Sequence, residues 1–197
     1  MTERDTTWTD FALAALCAVF AVILLRAGGA ALHYAGLFAA LGAAALFGAL
    51  WHGWFAGRQQ GAGGALWLAV MLAIGLANTA LWLIAGHVLG ESGAIFSALA
   101  LAQFIAFAAL VLIGKRSFLI ASAFSLPPVL VLIAAHGWKM ADGGGIDHAF
   151  GLAGFGTALA GAALQAARIG LPGLGLGHNA LYHLVQALAL TLVFFGI

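Results

Sequence analysis

The sequence predicts an all-α membrane protein, a bundle of seven transmembrane helices in a single domain over residues 1–197. Of the 197 residues, 64% are hydrophobic and only 7% are charged, and the mean hydropathy is +1.11. Soluble domains are about 25% charged, so this composition excludes an ordinary soluble domain and a disordered chain. Besides the composition, a series of seven long apolar runs, separated by clusters of Gly and Pro, supports this prediction.

Each apolar run is close to the length of about 20 residues that an α-helix needs to cross the hydrocarbon core. The runs do not alternate in hydrophobicity, as the shorter strands of a membrane β-barrel do. Backbone polar groups in hydrocarbon must be paired within the segment, and a helix achieves this pairing. The predicted helices span residues 8–25, 32–55, 65–88, 93–113, 118–135, 148–167 and 178–197.

The Lys and Arg residues of the short loops predict the orientation of the bundle. Five of the seven fall on the side of the N-terminus, whereas Arg26 and Lys139 fall on the other side. We therefore expect a cytoplasmic N-terminus and an external C-terminus, in a bacterial inner or plasma membrane. The start of the chain is acidic, unlike the basic start of a cleavable signal, so the first helix is expected to be retained.

Composition and motifs also exclude several classes of function. Seven Lys and Arg against six Asp and Glu provide no basic surface for a nucleic acid. The single cysteine, Cys17, excludes an internal disulfide and a multi-Cys metal site. The sequence has no phosphate-binding loop, dinucleotide-binding glycine pattern or serine-hydrolase elbow. Membrane lipids are therefore the expected partners, and the oligomeric state is left open.

Polar residues within the predicted helices are the candidates for function, because ionisable groups in a membrane usually face a cavity or a partner. Asn179, His183 and Gln186 are spaced by four and three residues, so they share one face of the last helix. His178 lies about 140° from His183 on an ideal helix, unless the glycines before it keep it outside the first turn. The set on the N-terminal side comprises Asp10, His52, His178, Asn179, His183 and Gln186.

These residue types are typical of a metal site. Imidazole is the commonest protein ligand for metals, and three protein ligands with an open fourth position are typical of catalytic zinc. The sequence therefore predicts zinc bound by His52 and His183, with His178 or Asn179 as the third ligand. Zinc lowers the pKa of its bound water to about 7 and so supplies hydroxide at neutral pH.

Two further residues complete the predicted site. The carboxylate of Asp10 would orient the zinc-bound water or carry its proton, and Gln186 would support the ligands or the bound carbonyl. The plainer alternative is that each histidine is interfacial or hydrogen-bonded to a neighbouring carbonyl, and that the set only braces the helices.

A second set of histidines lies toward the opposite side of the bundle, near helix ends where a polar tip can reach water. With Glu91, Asp142 and Asp147 in the nearby loops, these histidines either form a pH-sensitive or metal-binding rim or are simply interfacial. The set comprises His33, His87, His136 and His148.

Seven helices, His52 within Leu-Trp-His-Gly, and the segment His178-Asn-Ala-Leu-Tyr-His183 together resemble the superfamily that joins alkaline ceramidases with the progestin and adipoQ receptors. The resemblance implies a zinc ion held by one histidine of helix two and two histidines of helix seven. For some members it also implies hydrolysis of the amide bond of ceramide. It covers the whole chain in topology, but only these two motifs in residues.

The sequence departs from the pattern of that superfamily at three places. Asn179 stands four residues before His183, where the superfamily has a histidine, and Gly48 stands where it has a serine. The stretch Gln59-Gln60-Gly61 lacks the aspartate that follows the helix-two histidine. The carboxylate that orients a zinc ligand is therefore missing from its usual place, and Asp10 is the candidate to substitute for it.

The sequence is also similar to an uncharacterised group of small membrane proteins, which implies no activity. Those proteins carry Thr-Asp near the start, His-Gly in helix two and Asn-x-x-x-His-x-x-Gln in the last helix, matched here by Thr9-Asp10, His52-Gly53 and the run from Asn179 to Gln186. The first functional hypothesis is a zinc-dependent intramembrane hydrolase of a lipid amide or ester. The alternatives are a non-catalytic lipid-binding or receptor-like protein and a small-solute carrier gated by Gly-broken helices.

Overall fold

The computed structural model describes residues 3–90 and 93–197 and confirms the all-α fold. Within these ranges, seven helices are long and apolar enough to cross a membrane. A π-helical turn, Trp51–Phe55, continues the second helix, and a 3-10 turn, Pro172–Leu174, precedes the seventh. The helices are α1 (Arg4–Ala27), α2 (Ala31–Leu50), α3 (Gly61–Leu89), α4 (Gly93–Leu112), α5 (Phe118–Ala141), α6 (Ile146–Ala166) and α7 (His178–Phe195).

The predicted and observed helices differ most at three ends. Both α1 and α3 begin four residues before the predicted starts, and α5 continues to Ala141, six residues beyond the predicted end at 135. The apolar runs mark only the part of a helix that lies in hydrocarbon. A polar residue such as Lys139 can extend α5, because its tip reaches water while its backbone groups remain paired.

Six of the helices form a closed ring, in which the neighbours are α1–α2, α2–α3, α3–α5, α5–α6, α6–α7 and α7–α1. The remaining helix, α4, lies outside this ring and packs mainly on α3. Small residues allow the helix backbones to approach closely. A Cβ added to Gly42 of α2 would lie 3.0 Å from the Cβ of Cys17 of α1. Phe20 and Phe194, whose ring centroids are 4.0 Å apart, close the ring between α1 and α7.

A chain of side-chain hydrogen bonds joins α3, α4 and α5 beside two prolines within α5. Because Pro128 has no N–H, the carbonyl of Phe124 loses its helical partner. Gln103 of α4 supplies the missing donor, since its Nε2 donates to the Phe124 carbonyl at 2.9 Å. The Oε1 of Gln103 accepts from Trp82 Nε1 of α3, also at 2.9 Å. This amide therefore attaches α4 to the wall of the ring.

We expect the Gln103→Leu variant to unfold more easily, by about 1–3 kcal/mol, because it leaves the Phe124 carbonyl and the Trp82 N–H unpaired in an apolar setting. Thermal unfolding in a mild detergent measures the change. The control is the same substitution in a Pro128→Ala background, in which residue 128 can donate to the Phe124 carbonyl. The cost of Gln103→Leu should be smaller there, and an equal cost in both backgrounds would disprove this account.

Candidate functional site

A cavity of about 770 Å³ lies inside the ring of six helices. Its lining comes from every helix of the ring, and the described part of α4 contributes no residue. The walls are mostly apolar, and the volume is within the range of small-molecule binding sites. All six site residues predicted from the sequence line this cavity. The charged, His, Asn, Gln and Ser side chains of the lining are Glu3, Asp10, His52, Asn78, Ser122, Ser125, Gln165, His178, Asn179, His183 and Gln186.

Asp10 and His183 form a buried pair on the cavity wall. The Oδ1 of Asp10 lies 3.3 Å from Nε2 of His183, and Asp10 is only 4% exposed. Gly48 of α2 provides the space for this carboxylate, because a Cβ added there would lie 3.0 Å from the Oδ2 of Asp10. The absence of a side chain at residue 48 therefore allows α1 to place its carboxylate beside α7.

Thr9 fixes the orientation of the His183 ring through Nδ1, the ring nitrogen that does not face Asp10. Its Oγ1 lies 3.1 Å from Nδ1 of His183 and 3.0 Å from the backbone carbonyls of Asp5 and Thr6. A hydroxyl has one hydrogen, and the carbonyls can only accept it, so we assign Thr9 Oγ1 as the acceptor from Nδ1–H. The ring is then a neutral imidazole whose Nε2 carries a lone pair directed at Asp10.

Two acceptors, the Nε2 of His183 and a carboxylate oxygen of Asp10, therefore face each other across 3.3 Å. Two lone pairs at this separation repel, and low dielectric strengthens the repulsion. A shared proton, or a cation bound by both atoms, removes it. The pair is thus built to take up one positive charge at the cavity wall, and either a proton or a metal ion can supply that charge.

His52 lies in the π-helical turn that ends the second helix, a rare conformation that is frequent at functional sites. Oε2 of Glu3 lies 2.8 Å from its Nδ1. At this distance Nδ1 nevertheless makes no hydrogen bond of good geometry. The structure pairs His52 with Glu3, whereas the sequence analysis grouped it with Asp10 and His183.

The first residues of α1 connect both ends of the site. The N–H of Glu3 donates to the carbonyl of His52 at 3.4 Å. The carboxylate of Asp5 accepts from the N–H of Gly177 at 2.7 Å, at the start of α7, where the helix dipole favours an anion. Sequence reasoning missed the roles of Glu3, Asp5 and Thr9. The acidic start of the chain could have indicated these roles, but it was used only to exclude a cleavable signal peptide.

The other predicted residues of α7 line the cavity in different roles. His178 is the first residue of α7, so the suggestion that it precedes the first helical turn is wrong. The backbone N–H groups of a first helical turn need no intrahelical acceptor. The helix can therefore begin at His178, with Gly177 as the capping residue before it. The Oδ1 of Asn179 accepts from Nε2 of Gln165 at 3.1 Å, so the atom that an amide offers to a metal is already engaged. Gln186 lies one turn deeper than His183.

The described residues, 3–90 and 93–197, contain no group of three or more His, Cys, Asp and Glu side chains that could hold a metal ion. The site instead consists of two carboxylate–imidazole pairs. The pair of Asp10 and His183 offers two atoms with lone pairs on the cavity wall. The zinc ion predicted from the sequence, with His52, His183 and His178 or Asn179 as its ligands, stays a prediction.

Of the outer histidines, His136 and His148 lie together, with their Nδ1 atoms 3.3 Å apart. His136 is 2% exposed and its Nε2 has no partner. Its ring packs directly on Gly151, where an added Cβ would overlap the ring. His33 and His87 belong to different helices, α2 and α3, and Glu91 lies outside the described residues. Of the predicted rim, the structure therefore brings together His136, His148 and Asp147, whose Oδ2 lies 3.9 Å from Nε2 of His148.

Comparison with known proteins identifies a family but no activity. No curated protein and no solved structure matches the chain. One family model matches residues 6–197, which include the whole cavity lining apart from Glu3. Because the match covers nearly the whole chain, the protein belongs to a family of unknown function, DUF6962.

Proposed function

We propose that the protein hydrolyses an amide or ester bond of a membrane lipid. The observation that carries this proposal is the buried pair of Asp10 and His183 on the wall of a large, mostly apolar cavity. Apolar walls accommodate a hydrocarbon chain, and a buried acid–base pair performs the proton transfers that hydrolysis requires. With the predicted cytoplasmic N-terminus, the pair acts in the cytoplasmic half of the bilayer.

The position of the cavity supports a lipid as the substrate. Leu119 and Leu126 of α5 line the cavity, yet they are 73% and 42% exposed on the outer surface of the bundle. Ala163 of α6 is likewise exposed and lines the cavity. Side chains that face both the cavity and the surroundings indicate an opening between the first half of α5 and the second half of α6. Such an opening admits a lipid chain directly from the bilayer.

In the proposed reaction, the pair stores one proton. In its proton-free form, the pair acts as a general base and accepts a proton from water while the water oxygen attacks the carbonyl carbon of the lipid. When the tetrahedral intermediate collapses, the stored proton passes to the leaving nitrogen or oxygen. The products are a fatty acid and an amine or alcohol, and the pair returns to its initial state.

Zinc is the second candidate, because one observation favours it. A histidine that ligates a metal usually has its other ring nitrogen hydrogen-bonded, and Thr9 holds the Nδ1 of His183 in this way. When bound, zinc would polarise the carbonyl and supply hydroxide. The histidines among the predicted ligands, His52, His178 and His183, do not form a group of three in the part of the chain that the structure describes, so we derive no step through the ion.

The proposal is tested with the purified chain in lipid nanodiscs that contain N-palmitoyl ethanolamine or monopalmitoylglycerol. We expect release of palmitate from one of the two probes, and no loss of this activity after treatment with phenanthroline. Loss of activity together with near-stoichiometric zinc would instead favour zinc. Intact, folded protein that releases no palmitate from either probe would contradict the hydrolase proposal and favour a lipid-binding protein or a carrier.

A further inference from the structure

A second polar group lies on the cavity wall, between α3 and α5. Asn78 of α3 is 2% exposed and Ser125 of α5 is half-buried, and both line the cavity. The Oγ of Ser125 donates to the Oδ1 of Asn78 at 2.8 Å, or to its own backbone neighbour, the carbonyl of Ala121, at 3.0 Å. The Nδ2 of Asn78 is buried and has no hydrogen-bond partner.

An unpaired amide N–H₂ group inside an apolar bundle is costly, and buried polar groups are almost always satisfied. Ser125 holds only the oxygen of the amide. The last torsion of an asparagine is broad, so rotation of the amide can turn one N–H toward the cavity. A ligand oxygen at this point would supply the missing partner.

The position of this group along the bundle follows from two contacts. Asp10 is level with Gly48 of α2, as the 3.0 Å approach shows. Trp51, at the start of the π-helical turn after α2, and Trp67 of α3 are in contact, with ring centroids 4.9 Å apart, and we take them as level. Because α2 and α3 are antiparallel, Gly48 is level with residue 70, and Asn78 lies eight residues further. At 1.5 Å per residue, Asn78 is about 12 Å deeper than Asp10.

We propose that Asn78 and Ser125 form a second binding point, which recognises an oxygen substituent on the hydrocarbon chain of the ligand. The inference rests on the proposed function only in taking the cavity as a lipid site, and it requires no catalysis. An extended chain covers about 12 Å in about nine or ten carbons, given the ordinary C–C bond length. The ligand class is therefore a lipid with an oxygen function near the middle of its chain.

A hydroxyl group suits this point because it both donates and accepts. It accepts from the Nδ2 of Asn78 and donates to the Oγ of Ser125, which continues to donate to the Oδ1 of Asn78. A plain hydrocarbon chain would leave the amide N–H unpaired. The site should therefore favour a hydroxylated chain over the analogue that lacks the hydroxyl, by about the net contribution of one hydrogen bond.

The test compares three neutral probes that cannot be hydrolysed: octadecanol, octadecanol with a second hydroxyl about ten carbons along, and octadecanol with the second hydroxyl beside the first. Because Trp51 and Trp67 line the cavity, tryptophan fluorescence in nanodiscs reports binding. We expect the mid-chain diol to bind about five- to tenfold more tightly than either other probe. In the Asn78→Leu variant, we expect the three affinities to be equal.

The control variant is Thr79→Val, a polar-to-apolar change at the next residue. Thr79 donates to the carbonyl of Gly75 within its own helix and does not line this cavity, so the preference for the mid-chain diol should remain. The inference is wrong if the wild-type protein binds all three probes equally, or if folded Asn78→Leu keeps the preference. In that case, Asn78 only braces α3 against α5. Neither result depends on whether the protein hydrolyses lipids.

Discussion

The His183→Ala variant should lose lipid hydrolysis by a factor of about 10²–10⁴, the usual contribution of a positioned acid–base group. Asp10→Asn should lose a similar amount, because the amide keeps the size of the carboxyl group but cannot store the proton. Initial rates of palmitate release in nanodiscs measure both changes. Thr9→Val removes only the contact that orients His183, so its loss of rate should be smaller.

The matched control for this experiment is His87→Ala. His87 is an exposed histidine near the far end of α3 and does not line the cavity, so its rate should equal that of the wild-type protein. Thermal unfolding of each variant shows whether the bundle is intact. Folded His183→Ala with an unchanged rate would refute the role given to the pair.

A second large effect is expected on stability, from Gly154→Leu in α6. A Cβ at this position would lie 2.6 Å from Cγ2 of Val193, 2.8 Å from its backbone N and 2.9 Å from the carbonyl oxygen of Ala189. Backbone atoms of α7 cannot move aside individually, so α6 and α7 must separate. We expect a destabilisation of about 3 kcal/mol or more, at the upper end of the usual range for overpacking, measured by thermal unfolding in detergent.

Gly156→Leu provides the comparison within the same helix. A Cβ at Gly156 has no neighbour within 4 Å, and replacing glycine inside a helix gains helix propensity of about 0.5–1 kcal/mol. This variant should therefore be as stable as the wild-type protein or slightly more stable. Equal losses of stability in the two variants would show that the close approach of α6 and α7 does not depend on Gly154.

The fold could be predicted because its signal is local. Each helix is marked by its own apolar run, and the length of about 20 residues is set by the bilayer. The end of α5 was placed too early for the same reason, since hydropathy falls at His136 while the helix continues to Ala141. Hydropathy also cannot reveal that α4 lies outside the ring, because lipid and helix neighbours are equally apolar.

The site could be predicted only in part. Polar residues in apolar runs identified Asp10, His52 and His183, and the structure brings the first and third together. Which residues meet depends on the register between helices, and this register is set by close approaches such as that of Gly48 to Asp10. Sequence spacing within one helix carries no information about that register, so the partnership of Glu3 with His52 was not foreseen.

The closure of the ring between α1 and α7 has a consequence for biogenesis. Asp10 enters the bilayer with the first helix, whereas its partner His183 is synthesised 173 residues later, in the last helix. During translation, the nascent chain must therefore shelter an unpaired carboxyl group until the final segment inserts, and an isolated acid in hydrocarbon is costly. Formation of the pair of Asp10 and His183 and insertion of the seventh helix are thus a single event.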